Sequence, residues 1–571
     1  MSISHDNQPS MADVYRKLRG ITEFTPQKRR RIENAFNSIW RYSGVALQDI
    51  PASAAGLREV LKAVEPAAHG VKRSTITSVR TLVMHGMKMS GLVPELARYR
   101  SHRQPLSHAW FVVFNRIPGE GQKAGLWSFV HFFNGCNVVP SQVSQQKYDE
   151  FVDYISATSV QSNLHSRMRL IARYWNALRS QNVDLNLQEL TAPASRLRRL
   201  SHPMSAFPIS LQSDLKRYRD WLVGEDVFAD NARDRRVTEG TADGYLRKFH
   251  RVVSTLVDTG FPIEELTSLA VLVDLDVFTR IRHSLTAIDK SSQLSETFSA
   301  LLLLVQIARI WLGLSPEHVS ALENEKSKLR VPTMRMTEKN TKLVAQFDDP
   351  AATQRLFNAP ALMWEQVKHN RKLDNRRRLA MAQGAIALGM LPYIPLRLGN
   401  LTDLTFGESI LLQPRGTSSI IISAEASKSG RGIEFDIPAG LAELIVEYHD
   451  HIAPGILGRH PTSLFCRPDG DSKGFAQVRR LVQSYFKEYV GFHMNPHAFR
   501  HLGAKLILDS DPGAHTLVQE LLGHRSVETS TAYYAGLSSR RAGRHHAKLI
   551  QQAMQHEAVT SVRSRRKMDW S

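Results

Sequence analysis

Apolar residues recur at helical spacing through most of the chain and alternate in only one short stretch. After the basic cluster Lys28-Arg29-Arg30-Arg31, the positions Ile32, Phe36, Ile39 and Trp40 repeat every three to four residues, which predicts a helix with one buried face. The pattern continues through Gly44-Val45 and Asp49-Ile50-Pro51 into LREVLKAV, then a second basic helix, VKRSTITSVRTLVMHGMKM, which opens on Lys72 and Arg73. A similar order returns downstream: LWSFVHFFNG, Val138-Val139-Pro140, KYDEFVDYIS, and VQSNLHSRMRLIARYWNALR. These read as two copies of a small helical module, each ending in a helix with a basic face. Thr191–Pro208, rich in Pro, Ser and Arg, reads as a linker. Further helices follow, including TADGYLRKFHRVVSTLVDTG, where Lys248 and Arg251 interleave with Tyr245 and Phe249. Beyond about residue 360 the texture changes. SSIIISAEASK and GIEFDIP are β-branched and alternating, and they flank Lys428-Ser429-Gly430-Arg431-Gly432, a hairpin signal. Helical patterns resume to the end. The expected fold is mainly α, with a small antiparallel sheet in the C-terminal domain.

Composition narrows what such a chain can do. At 571 residues it exceeds one ordinary core, so several domains are expected. The net charge of +20 favours a polyanionic partner, because each cation placed near a phosphate releases a condensed counterion. Only two cysteines occur, Cys136 and Cys466, which excludes a disulfide framework and fits a reducing cytoplasm. MSISHDNQPSMADVYRKL contains no apolar run of the secretory kind. The most apolar stretch, Phe298 to Leu314, carries Gln306 and Arg309 and reads as a buried core helix rather than a membrane span. Double-stranded DNA is the expected partner, met in the cytoplasm at the nucleoid, with no membrane association.

Chemistry concentrates near the C-terminus. His497 and Arg500 are three apart and share a helix face. An imidazole can exchange a proton, and a guanidinium can grip two phosphate oxygens. In ELLGHRSVETSTAYYAGL, His524 precedes Tyr533 by nine residues. Each element alone is weak, since a lone histidine or tyrosine is usually packing. The zinc-protease helix is excluded, because HAFRH lacks the glutamate between its histidines. The cysteines form no zinc pattern, and no Gly-x-x-x-x-Gly-Lys-Ser/Thr phosphate loop is present.

Taken in order, His-x-x-Arg-His, an apolar helix, Leu-Gly-His and then the tyrosine resemble the tyrosine recombinase (phage integrase) family from Pro496 to Tyr533. Two further family positions are found upstream: Arg397 in Leu396-Arg397-Leu398-Gly399-Asn400-Leu401, and Lys428 on the expected hairpin. The resemblance implies that Tyr533 attacks the scissile phosphate to give a 3′-phosphotyrosyl bond. It implies that Arg397 and Arg500 clamp the nonbridging oxygens and that Lys428 protonates the leaving 5′ oxygen. His497 would assist proton transfer at the tyrosine, and His524 would bond a phosphate oxygen. No cofactor, metal or ATP is implied. The family's offset from the Leu-Gly-His histidine selects Tyr533 over its neighbour Tyr534. Two departures stand out: Asn400 replaces the usual glutamate, and Pro395 replaces the usual small residue.

The resemblance also implies a multi-domain DNA clamp and a tetramer on paired DNA sites, with a monomer expected when free. The expected division is a flexible tail at 1–25, N-terminal DNA-binding modules at 26–190 and a linker at 191–208. A helical core-binding domain at 209–345, a catalytic domain at 360–545 and a basic tail at 546–571 complete it. Candidate DNA contacts outside the catalytic set are Lys28, Arg29, Arg30, Lys72, Arg73, Lys248, Arg251, Arg376 and Arg377. A site-specific recombinase or integrase of a mobile element is the leading expectation. A type IB topoisomerase-like enzyme, a hairpin-forming relative and a DNA-binding regulator with a retired active site are the alternatives.

Overall fold

The computed structural model describes residues 9–93, 96, 104–194, 201–224, 236–288, 294–329, 336–413, 416–427, 430, 432–511, 513–523, 527–528, 531, 534, 543, 546–547 and 550–551. Among them the chain is mainly helical with one small antiparallel sheet. It forms two compact units. One comprises Met1–Ala194, Lys339–Ser530 and Leu537–Ser571; the other comprises Ser195–Glu338 with Thr531–Gly536.

In the first unit the N-terminal half holds two helical modules with the same order of elements. The first runs through helices Met11–Leu18 and Pro26–Ser43, a short 3₁₀ turn at Leu47–Asp49, and helices Ala54–Lys62 and Arg73–Ser90. The second runs through His108–Asn115 and Glu120–Gly135, a 3₁₀ turn at Pro140–Gln142, and helices Gln145–Thr158 and Leu164–Gln181. Each packs its own apolar core, the second around Trp110, Phe129, Phe133, Tyr148, Phe151 and Trp175. Arg58 ties the modules together by donating to the carbonyls of Ser156 (2.5 Å) and Ser159 (3.1 Å).

The expected tail at residues 1–25 is corrected here, because Met11–Leu18 is a packed helix. Met11, Val14 and Leu18 fall on one face and are buried, while Ser10 and Asp13 close a capping box. Three core-facing residues in eight are too few to stand out in a polar N-terminus.

The C-terminal half of the same unit is built on the paired helices Pro350–His369 and Asn375–Met390, joined by Phe475–Val490 and Ala498–Ser510 around one core. A sheet of β1 (Ile410–Leu411), β2 (Ser419–Ile422) and β3 (Ile433–Asp436) lies beside them, antiparallel throughout, with Ile422 opposite Ile433. The expected hairpin strands are therefore β2 and β3. The first N-terminal module also touches this half. Lys487 pairs with Glu65 at 2.6 Å, and the turn Pro66–His69 packs against Phe475–Val490. Gly491 sits in left-handed backbone (φ 99°), and a β-carbon there would come within 2.5 Å of the Ala68 amide nitrogen. Only glycine fits.

The second unit packs helices Ile209–Val223, Glu239–Asp258, Leu275–Ile288, Leu294–Gln306 and Pro316–Ser327 around Leu211, Phe249, Phe278 and Leu304. Leu294–Trp311 is long and apolar enough to cross a membrane by length and composition, yet Leu301, Leu304, Val305, Ile307 and Ala308 face this core. Its last turn, Ile307–Trp311, widens to a π-turn, and Trp311 meets Trp221 at 5.1 Å. Both expected boundaries shift. Phe207 is buried in this core and His202 bonds Asp258 at 2.8 Å, so the second half of the expected linker is packed structure. At the other end the unit stops at Glu338, ahead of the expected gap at 345–360, because Leu343 and Phe347 already pack in the core of the first unit.

Candidate active site

Two turns and one helix bring Arg397, His497 and Arg500 together in the C-terminal half. Buried Leu396 anchors the segment in which Arg397 forms the N-cap of the helix Leu398–Thr402. The Arg397 guanidinium is half-buried, and that burial lowers its pKa. A guanidinium nevertheless remains a cation under ordinary conditions. His497 starts the helix Ala498–Ser510, whose first amide is accepted by the Asn495 side chain at 3.0 Å. Arg500, one turn on, is only 5% exposed.

Arg500 is the junction. Its Nη1 donates to the Pro395 carbonyl at 2.9 Å and its Nη2 to the Leu522 carbonyl at 2.5 Å. Pro395 lies two residues before Arg397. Leu522 ends the helix His515–Leu522 and is followed by Gly523, whose left-handed backbone (φ 58°) terminates that helix. Helix ends leave carbonyls without partners and carry partial negative charge, so a buried cation there is stabilising on both counts. The glycine of the Leu-Gly-His motif thus has a geometric reason, since a side chain at that cap would be strained. One guanidinium holds the Arg397 segment and the segment leading to His524 against the His497 helix.

His497 is exposed at the surface, but part of its ring is crowded, and its edge meets His501 at 5.1 Å and 86°. Burial first, then the guanidiniums of Arg500 and Arg397, lower its pKa below the ordinary histidine value. The two arginines therefore act on the same imidazole. Behind them Asn340 meets His501 Nε2 at 3.2 Å, and buried Lys505 bonds Asp348 (2.6 Å) and Asp509 (2.5 Å). These supports and the two carbonyl acceptors were missed in the sequence, which holds no signal for them.

Lys428, His524 and Tyr533 lie outside the described residues. Tyr534, the neighbour of Tyr533, is 2% exposed. Of the candidate DNA contacts, Lys28, Arg30, Lys72, Arg73, Arg376 and Arg377 are exposed. Arg29 is half-buried and donates to the Ile21 carbonyl at 2.6 Å, and Arg377 lies 3.6 Å from Asp374. Lys248 bonds Ser299, and Lys248 and Arg251 line a groove of about 320 Å³ with Arg247 in the second unit.

No protein-family model matches the chain. A stretch of 81 residues is 38% identical to tyrosine recombinase XerC of Corynebacterium glutamicum, covering 14% of this chain and 26% of that protein. The chain resembles tyrosine recombinases. The matched stretch spans about a quarter of that recombinase's length. Among solved structures, a lambda integrase (75–356) dimer bound to a COC′ core site is 17% identical. It covers 56% of this chain and 94% of that one, with a TM-score of 0.33. XerH recombinase bound to its difH substrate is 18% identical, covering 65% and 88%, with a TM-score of 0.35. Likenesses this loose to the recombinase structures add nothing to the geometry of the site.

Proposed function

We propose that the protein is a site-specific DNA recombinase that breaks and rejoins strands through a covalent bond to Tyr533. The observation that carries this reading is the Arg500 junction. A buried guanidinium binds the segments of two other motifs, and a second guanidinium and an imidazole share its electrostatic field. An assembly of cations around one point suits a phosphodiester, whose pentacoordinate transition state gathers negative charge on nonbridging oxygens.

In the proposed reaction the Tyr533 oxygen forms a bond to phosphorus as the bond to the 5′ oxygen breaks. Lys428 supplies the proton that the departing alkoxide takes. Arg397 and Arg500 stabilise the equatorial oxygens, His524 bonds one of them, and His497 handles the phenol proton. Its depressed pKa keeps that imidazole neutral near pH 7, the form able to accept a proton. The phosphodiester energy is retained in the intermediate, so the proposal requires neither metal nor ATP. Tyr534 is packed away, which leaves Tyr533 as the nucleophile in this reading.

Residues 209–345 are assigned to gripping the core site, 360–545 to catalysis and 26–190 to extending the hold along duplex DNA, with a tetramer on paired sites. The test is a suicide duplex nicked beside candidate sites, incubated with EDTA and no nucleotide. A covalent protein–DNA band is expected from the wild type and from Tyr534→Phe, and none from Tyr533→Phe. A band surviving Tyr533→Phe, or one requiring metal, would sink the assignment. Relaxation of supercoils on plasmids lacking paired sites would favour a topoisomerase instead.

A further inference from the structure

The two N-terminal modules enclose a cleft that the proposed strand exchange does not use. It holds about 700 Å³ and is lined by Arg80, His85 and Lys88 from one module and by Trp127, Tyr154 and Arg167 from the other. Among the described residues no carboxylate lines it. His85 and Lys88 sit one turn apart on Arg73–Ser90, and Arg80 borders the same space from that helix. Arg167 is held in place by Ser128 (2.7 Å) and Gln161 (2.6 Å), which fixes its guanidinium at the far wall.

The second module also offers a π-face. Trp127 is 46% exposed, backed by His131 at 4.1 Å and Phe114 at 5.6 Å, so its ring is oriented before any ligand arrives. The Arg58 bonds to Ser156 and Ser159 set the spacing between the modules at the edge of the cleft. The volume lies in the range of small-ligand sites and is far too small for a duplex. Cations opposite an aromatic face match a phosphate joined to a planar base.

We propose that this cleft binds a nucleotide unit, its phosphate against Arg80, Lys88 and Arg167 and its base on Trp127. Two sources share that chemistry: a free nucleotide, or an unpaired nucleotide of a DNA strand. The inference does not rest on the Tyr533 reading. The experiment uses the full chain and fluorescein-labelled dT5 in an anisotropy titration, with dTMP, inorganic phosphate and a blunt duplex as competitors.

Binding of dT5 is expected, weakened by roughly tenfold or more in Arg80→Gln/Lys88→Gln. Trp127→Leu should weaken it severalfold, and Trp127→Phe should restore it. Displacement by dTMP as efficient as by unlabelled dT5 assigns the site to free nucleotides, and weaker displacement assigns it to a strand. Unchanged affinity in both the double variant and Trp127→Leu overturns the proposal. So does inorganic phosphate competing as well as dTMP, or the duplex competing best. Trp127 is exposed, so its variants report on the cleft even if the double variant fails to fold. Covalent trapping on the suicide duplex is measured in parallel on the wild type. Loss of trapping in the wild type would instead strike the recombinase reading alone.

Discussion

Arg500→Ala should loosen two segments that are distant in sequence, by an amount that follows from its bonds. The residue is 5% exposed, and its nitrogens supply donors to the carbonyls of Pro395 and Leu522. Alanine leaves both acceptors in a poorly hydrated space, at about 1–3 kcal/mol each. Release from burying a cation offsets part of this, so a net loss of about 2–4 kcal/mol is expected. The loss falls on the local opening of 395–402 and 515–523 rather than on the whole chain. Hydrogen exchange read by mass spectrometry suits a multi-domain protein in which a single unfolding transition is not defined. Peptides over those two stretches should exchange roughly thirtyfold faster or more. Those from Pro350–His369, which lies in the core away from the junction, should not change. Arg500→Lys keeps the charge but not the planar fork, so one of the two stretches should stay protected. If both stretches exchange at wild-type rates in the alanine variant, the guanidinium is not their tie and the junction argument fails.

Three further outcomes are expected. The His497 imidazole, held below the ordinary histidine value by burial and two guanidiniums, should titrate by NMR below about pH 6.5. Its unfolded state binds the proton first, so stability falls as pH drops from there through the folded pKa. The acid limb of the trapping rate should move to higher pH in Arg397→Gln, which removes one of the cations. Lys473, buried against Gln383 and the Cys466 carbonyl, has its pKa pushed down to about 8. Stability should rise as pH climbs from about 8 toward the unfolded lysine value, by up to about 3 kcal/mol, and Lys473→Met should flatten that rise in urea titrations. Gly491→Ala should cost more than about 1 kcal/mol, since it meets both an unfavourable φ and the Ala68 backbone. Its signature would be faster exchange in the turn Pro66–His69, and a neutral result would show that the turn yields.

Helical periodicity made the elements around Ile32, Phe36 and Ile39 legible, and β-branched alternation marked β2 and β3. Both signals come from residues that choose a face. Met11–Leu18 was hidden because its fixing interactions are one capping box and three apolar side chains. The boundary near residue 345 shifts because Leu343 and Phe347 pack into the core of the first unit, and two apolar residues do not announce which core they join. In the site, spacing alone put His497 and Arg500 on one face. That the Arg500 guanidinium would grip carbonyls at Pro395 and Leu522 was illegible, since main-chain acceptors carry no residue identity.

The docking of Pro66–His69 on Phe475–Val490 bears on how this chain can be truncated. Starting at residue 205 would remove Glu65 from Lys487 and bare the groove beside Gly491. Weak strand cleavage by such a fragment, on the proposed reading, would then mix a lost foothold on DNA with a wound in the C-terminal half itself. Charge reversal at exposed Lys28 and Arg30 leaves that seam shut, and so asks the DNA question by itself.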